Sequence, residues 1–328
     1  MRTIEDIKIK LHGPIFSIIT PFKKNEEIDY SNLRNYIRYL YKRGAKVFYV
    51  MVYNSRLGLL SEDEIIKLNV FCIKEVKKLS KNNIIICAEP YHSSTIQTLK
   101  YCNYFKKRGA DIVSIIFGEK FYNNDQVYNH FKTIHNKTKC FLLLHQQVLE
   151  NGISNNPPYL FYNIELLKKI LSLPRIIAMK EDSKNNILTK KICKKFSKKT
   201  VIITSGGGKR QWLYASKYGC QSWLSGVSNL DPKIAYDFYN AHKIGNKNLI
   251  KLIIDLIEKP FFRIKKRYGW HLTIKSFLEV NNNFPRFERK PLLELNNDDH
   301  NKIKKIFSEI RKKSKKLKLD NYFNISHD

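Results

Sequence analysis

The sequence predicts a parallel α/β fold in which eight strand–helix units close into a barrel, followed by a helical appendix. Three observations carry this. Short apolar runs rich in β-branched residues alternate with longer segments of helical period, eight times over about 230 residues. The runs are apolar throughout, the pattern of a parallel sheet covered on both faces. No further strand-type run follows about residue 232. Eight such units in a chain of 328 residues suit a (β/α)8 TIM barrel. A doubly wound open sheet is the competing architecture, but no G-x-G-x-x-G follows the first strand, which counts against a dinucleotide fold.

The first strand is expected over Pro14 to Phe22 (PIFSIITPF), ahead of a helix near Tyr30 to Arg43. Val47 to Tyr53 (VFYVMVY) comes second, and the helix after it opens at Ser61, where Ser61 and Glu64 have capping-box spacing. Ile84 to Ala88 precedes a helix over Ser94 to Arg108, and Asp111 to Phe117 one over Asn124 to His135. Cys140 to His145 (CFLLLH) leads through a longer loop to a helix over Tyr159 to Leu171. Arg175 to Lys180 (RIIAMK) leads to Asn186 to Phe196, and Val201 to Thr204 to Lys209 to Tyr218. Gln221 to Val227 closes the series. Ile234 to Glu258, Thr273 to Glu279 and Asn297 to Lys313 have helical period. The expected division is a barrel over 1–231 and a helical region over 232–328 that ends in a basic tail.

Composition narrows the function classes. Nineteen Phe, 19 Tyr and 3 Trp are too many aromatics for a disordered chain. No apolar run reaches the roughly 20 residues that span a bilayer, and the start, MRTIEDIKIKL, has no signal-type apolar region. The six cysteines include no C-x-x-C pair, so neither zinc nor a disulfide framework is signalled. A cytoplasmic setting is expected, with no membrane partner and no metal. The net charge of +31 invites a nucleic-acid reading. Against it, only 13 of the 60 basic residues are Arg, whereas bidentate phosphate and base recognition favours Arg. The lysines are spread over nearly every predicted helix, and the run Lys312 to Lys318 reads as a solvated tail.

In barrels of this kind chemistry sits at the C-terminal ends of the strands. Among those ends Lys180 stands out, because it closes the apolar run Ile176 to Met179. From a poorly solvated wall its amine is pushed toward the neutral form, a nucleophile able to form a Schiff base with a carbonyl. Position alone leaves open the plainer reading, a lysine snorkelling into water past a strand end.

The motif order is more informative. Thr20-Pro21-Phe22 with Ile28-Asp29, Leu60-Ser61 with Glu64, and Gly109-Ala110-Asp111 come first. Ile177-Ala178-Met179-Lys180-Glu181-Asp182-Ser183, Ser205-Gly206 and Asn229-Leu230-Asp231-Pro232 follow. From Gly13 to about Pro232 this series resembles the dihydrodipicolinate synthase / N-acetylneuraminate lyase family, (β/α)8 class I aldolases that hold pyruvate as a lysine Schiff base. The resemblance implies that Lys180 is the Schiff-base lysine and that the substrate is pyruvate or a related 2-oxo acid. It also implies C–C cleavage, condensation or dehydration without a metal or organic cofactor, in a homo-oligomer, commonly a dimer of dimers. The high positive charge adds repulsion to any such assembly.

The departures matter as much. Where the family has a Gly-Thr-Thr-Gly-Glu-like stretch holding the pyruvate carboxylate, this chain has Val52-Tyr53-Asn54-Ser55-Arg56. Tyr53, Asn54 and Ser55 retain hydrogen-bonding groups and are the candidates for that task. His145 stands where the family has its proton-shuttling tyrosine, and an imidazole can do general acid–base work there; the alternative is a strand-end histidine satisfied by a neighbour. Glu150 replaces an arginine of the synthase branch, and Glu119 aligns with a relay tyrosine, with Tyr122 nearby. Gly206, Gly207 and Gly208 lack an acidic residue found in many sugar-acid lyases and leave room for a substrate end. Gly206, Gly207 and, on the eighth strand, Leu224 complete the expected substrate-binding set. A second function class, a non-catalytic paralogue binding a 2-oxo acid or a protein, fits the lost tyrosines but not the retained Lys180.

Overall fold

The computed structural model describes residues 3–118, 123–147, 162–282 and 284–316. The order of elements is the expected one. A helix not anticipated from sequence, α1 (Ile4–Lys10), is capped by Thr3 and Asp6 in a reciprocal box. Then follow β1 (Gly13–Ser17), α2 (Tyr30–Lys42), β2 (Val47–Tyr49), α3 (Glu62–Leu79), β3 (Ile84–Ala88) and α4 (Thr95–Lys107). Next come β4 (Ile112–Ile115), α5 (Asn124–Lys137), β5 (Phe141–Gln147), α6 (Ile164–Leu171), β6 (Ile176–Asp182) and α7 (Asn186–Phe196). The series ends with β7 (Val201–Ser205), α8 (Gly208–Ser216) and β8 (Ser222–Leu224). The eight strands form one closed barrel in sequence order, with β1 paired to β8 through Gly13 and Ser222, Pro14 and Trp223, and Ile15 and Leu224. The fold is a (β/α)8 barrel.

The chain divides into two compact units, one comprising Met1–Ile15 with Lys46–Leu224, the other Phe16–Ala45 with Ser225–Asp328. In the first, apolar strands are buried on both faces and the helices begin at polar caps. Ser61, Ser94 and Asn123 each accept from a backbone N–H three residues on, while Glu64, Gln97 and Gln126 reach back to them. Two buried carboxylates, Glu89 directly after β3 and Glu181 on β6, turn toward the helices. Glu89 accepts from Thr98 Oγ1 (2.5 Å) and the Ile116 N–H (3.1 Å). Glu181 accepts from Thr189 Oγ1 (2.6 Å) and the Ser183 N–H (2.8 Å). Burial raises both acids, Glu89 to about 8. They fasten strand ends to α4 and α7.

The second unit holds α2 and the C-terminal helices α9 (Pro232–Lys243), α10 (Lys247–Ile253), α11 (Lys259–Tyr268), α12 (Trp270–Asn282) and α13 (Asn297–Lys316). Asp231 caps α9 through the Lys233 N–H and takes a two-pronged hydrogen bond from Arg43, at 3.0 and 2.6 Å. The helix expected over Ile234 to Glu258 is broken at Gly245, which adopts φ +72°, and Asn246 caps the next segment. A π-helical turn, Ile254–Glu258, joins α10 to α11. Among the described residues no helix is long and apolar enough to cross a membrane.

Candidate active site

Two strands build the site. In the parallel ladder between β5 and β6, His145 lies opposite Lys180, Gln146 opposite Glu181, and Gln147 opposite Asp182. Successive side chains on a strand alternate faces, so Lys180 and Asp182 share the barrel interior with His145, while Glu181 turns outward to α7. The strand does not stop at Lys180, as sequence suggested, but runs two residues further because the β5 pairing continues to Gln147. Lys180 is consequently enclosed, with no exposed surface.

Its ammonium has two partners. Nζ donates to Asp182 Oδ2 at 2.7 Å and meets His145 Nε2 at 2.9 Å. A protonated lysine has no lone pair to offer, so Nε2 accepts, and the imidazole carries its own proton on Nδ1. Burial pushes Lys180 below the ordinary lysine value, opposed by the Asp182 charge and hydrogen bond. Burial, reinforced by the Lys180 charge, holds His145 well below the ordinary histidine value. Burial thus disfavours a second cation beside Lys180 and favours the neutral imidazole at His145. Tyr49 on β2 reaches Ser114 Oγ on β4 at 2.5 Å, past the intervening β3, which places both inside the barrel. Burial raises the Tyr49 phenol, and the Asp182 charge adds to it.

The other sequence candidates lie on the segment after β2, on the segment after β7 and on β8. Tyr53, Asn54 and Ser55 lie in a run of turns after β2, where Ser55 N–H bonds to Met51 O and Leu57 N–H to Val52 O. Asn54 and Ser55 are buried, whereas Tyr53 is 49% exposed. Arg56, in the same loop, takes a left-handed backbone (φ +59°). Leu224 pairs with Ser205, two steps along the ladder from the pair Ile203 and Ser222, and Ile203 pairs with Lys180. Partners in a parallel ladder share a face, so Leu224 points into the barrel, where it is buried. Gly207 donates its N–H to Gln211 Oε1 on α8 at 2.9 Å, so that donor is engaged. Glu119, Tyr122 and Glu150 lie outside the described residues.

Gly206 closes the site over Asp182. Its φ is +88°, and a Cβ there would stand 2.7 Å from Lys184 Cε and 2.9 Å from Asp182 Oδ1. Gly206→Ala is therefore expected to cost roughly 1–3 kcal/mol from backbone strain and crowding. Urea unfolding followed by circular dichroism checks this; an unchanged midpoint would contradict it.

Asp182 is the member of the cluster that sequence reasoning quoted without giving it a role. The signal was available: a carboxylate two positions beyond a strand lysine shares its face. Among the described residues no group of three or more His, Cys, Asp or Glu side chains is arranged to hold a metal ion.

A family model described as the dihydrodipicolinate synthetase family matches residues 10–310. The 4-hydroxy-tetrahydrodipicolinate synthase of Ehrlichia canis (strain Jake) is 24% identical over 309 residues, covering 92% of this chain and 98% of that protein. The protein of the same description from Karelsulcia muelleri (strain GWSS) is 25% identical over 292 residues, covering 87% and 92%. The barrel superposes on the crystal structure of dihydrodipicolinate synthase from Oceanobacillus iheyensis with a TM-score of 0.79 at 15% identity, covering 94% of this chain and 99% of that one. The N-acetylneuraminate lyase structure from Fusobacterium nucleatum gives 0.77 at 18% identity, covering 92% and 99%. With its whole barrel and most of its C-terminal region matched, the chain belongs to the dihydrodipicolinate synthetase family.

Proposed function

We propose that the protein is a class I lyase that binds pyruvate or a related 2-oxo acid as a Schiff base on Lys180. The observation that carries this is the enclosed ammonium of Lys180 held between a carboxylate and a neutral imidazole. A lysine with no solvent access is costly to keep, and its lowered proton affinity suits a nucleophile. Membership of a family whose relatives are described as synthases and lyases supports the same reading.

In the proposed sequence His145 Nε2 takes a proton from the Lys180 ammonium, and the free amine adds to the C2 carbonyl. The imidazolium returns that proton to the carbinolamine hydroxyl, which leaves as water, and an iminium remains on Nζ. The iminium then withdraws electrons as a C–C or C–O bond is made or broken beside it. Asn54 and Ser55, with Tyr53 at the loop surface, are the proposed carboxylate-binding group; Gly206, Gly207 and Leu224 line the substrate's other end. The lysine provides the electron sink, so this chemistry asks for no metal or organic cofactor. Assembly as a homodimer or homotetramer and a cytoplasmic setting are part of the proposal.

Borohydride trapping with pyruvate, read by intact mass and peptide mapping, tests it. The expected result is one stable adduct on the peptide containing Lys180. No adduct with pyruvate or a panel of 2-oxo acids would overturn the lyase reading and leave the barrel as a binding scaffold.

A further inference from the structure

Asp182 occupies an unusual place for a carboxylate. Its Oδ2 lies 2.7 Å from Lys180 Nζ, on the same face of the same strand. Its Oδ1 is buried beneath Gly206 and has no hydrogen-bond partner among the described residues. A Cβ at position 206 would stand 2.9 Å from that oxygen. The side chain as a whole is 13% exposed, so the pair is only weakly screened by solvent.

From this geometry, and resting on the Schiff-base reading above, we infer that Asp182 is a catalytic residue, the fixed counter-ion of the Lys180 nitrogen in both its ammonium and its iminium forms. The charge balance of the reaction requires such a group. The nitrogen begins as R–NH3+ and ends as R–NH+=C, with one oxygen leaving as water along with two of its protons. A single positive charge therefore stays on one buried atom from start to finish. An imine nitrogen is far less basic than an amine, and burial weakens its protonation further. Without an adjacent anion the Schiff base would lose its proton, and a neutral imine is a poor electron sink. The carboxylate keeps the nitrogen charged while His145, neutral beside it, moves the mobile proton. A carboxylate in contact with the nitrogen and an imidazole that carries protons to and from it thus divide two tasks between two side chains.

Among the described residues, the groups seen to act on Nζ are on β5 and β6 or just past them. Asp182 and His145 are in contact with it; Glu181 and Lys184 act through space with opposite signs. Tyr49 faces Asp182 from β2. Asp182→Asn removes the stabilising charge in contact with Nζ and leaves the more distant Glu181 in place. Both the ammonium and the iminium should then lose protons at lower pH, by at least about one unit for an adjacent charge.

The test is the pH profile of reductive trapping with pyruvate and cyanoborohydride, which reduces the iminium and not the neutral imine. Wild type, Asp182→Asn, Asp182→Ser and Asp182→Glu are compared on the Lys180 peptide across about pH 5 to 10. Both limbs are expected to move to lower pH in the Asn and Ser variants. Trapping above neutrality should fall at least about tenfold in those two, and Glu should restore most of it. Profiles for Asn and Ser that overlay the wild type would overturn the counter-ion role, as would a Glu variant no better than Asn. Two neutral replacements of different size, with thermal melts of each, separate a charge effect from misfolding. Failure of the underlying reading looks different: wild type itself would give no adduct at any pH.

Discussion

Replacing Lys180 by Met is expected to eliminate the trapped adduct and to lower turnover by at least about 10³-fold, because it removes the amine proposed to form the iminium. Met keeps the unbranched stem, so the packing around β6 is preserved. A second effect follows from what is left behind. Asp182 loses the cation 2.7 Å away and stays in a site from which most water is excluded. Breaking one side of a buried pair costs more than the pair itself contributes, since the remaining charge has nothing to compensate it. Given the partial exposure of Asp182, a loss of about 1–3 kcal/mol is expected in urea unfolding. The double variant Lys180→Met, Asp182→Asn should recover much of that loss while remaining inactive. Destabilisation that simply adds in the double variant would show that the two residues are not coupled.

Much of this was legible in the sequence, for identifiable reasons. A strand such as Ile84–Ala88 (IIICA) is apolar on both faces, so pattern alone locates it. The misreadings occurred where apolar sequence continues past the last paired residue. Val50 to Tyr53 look like strand, but β2 ends at Tyr49 and the chain turns through backbone hydrogen bonds of its own. Residues 18–22 repeat the case after β1. Conversely, Glu181 and Asp182 look like the start of a loop, yet pairing with Gln146 and Gln147 extends β6 through them. Charge composition predicts loop; the ladder register decides otherwise.

The same register explains how the site was half visible. Lys180 was found because a charged residue at the end of an apolar run is chemically conspicuous, and His145 because it interrupts a second such run. That the two face each other is a fact of strand alignment between β5 and β6, which neither segment encodes alone. Asp182 escaped because its neighbour Glu181 has the same chemistry and the opposite face. Period-two alternation separates them, one toward Lys180 and one toward Thr189, only once the segment is known to be strand.

His145→Gln gives the second large effect. The amide occupies a similar volume and can still accept from Lys180, but it cannot take up a proton. Turnover is expected to fall about 10²- to 10⁴-fold, the usual contribution of a positioned acid–base group. Trapping on Lys180 should persist at a lower rate, which distinguishes this variant from Lys180→Met. The pH dependence carries a sign. Burial and the neighbouring ammonium depress the affinity of His145 for protons, which favours the neutral imidazole with its Nε2 lone pair available. Activity of the wild type should therefore hold through neutrality and decline only on the acid side of the ordinary histidine value of about 6.5, as an imidazolium forms beside the Lys180 cation. In the Gln variant that acid limb should disappear from the kcat/KM profile, leaving the dependence set by Lys180. An unaltered acid limb would assign it to another group and return His145 to a structural role. His145→Tyr supplies the complementary arm, because a phenol restores a proton donor and acceptor with a far higher intrinsic pKa of about 10. If proton transfer is the function, Tyr should recover activity that Gln does not, with the limb displaced; if His145 only fills space and steadies Lys180, both variants should fall together.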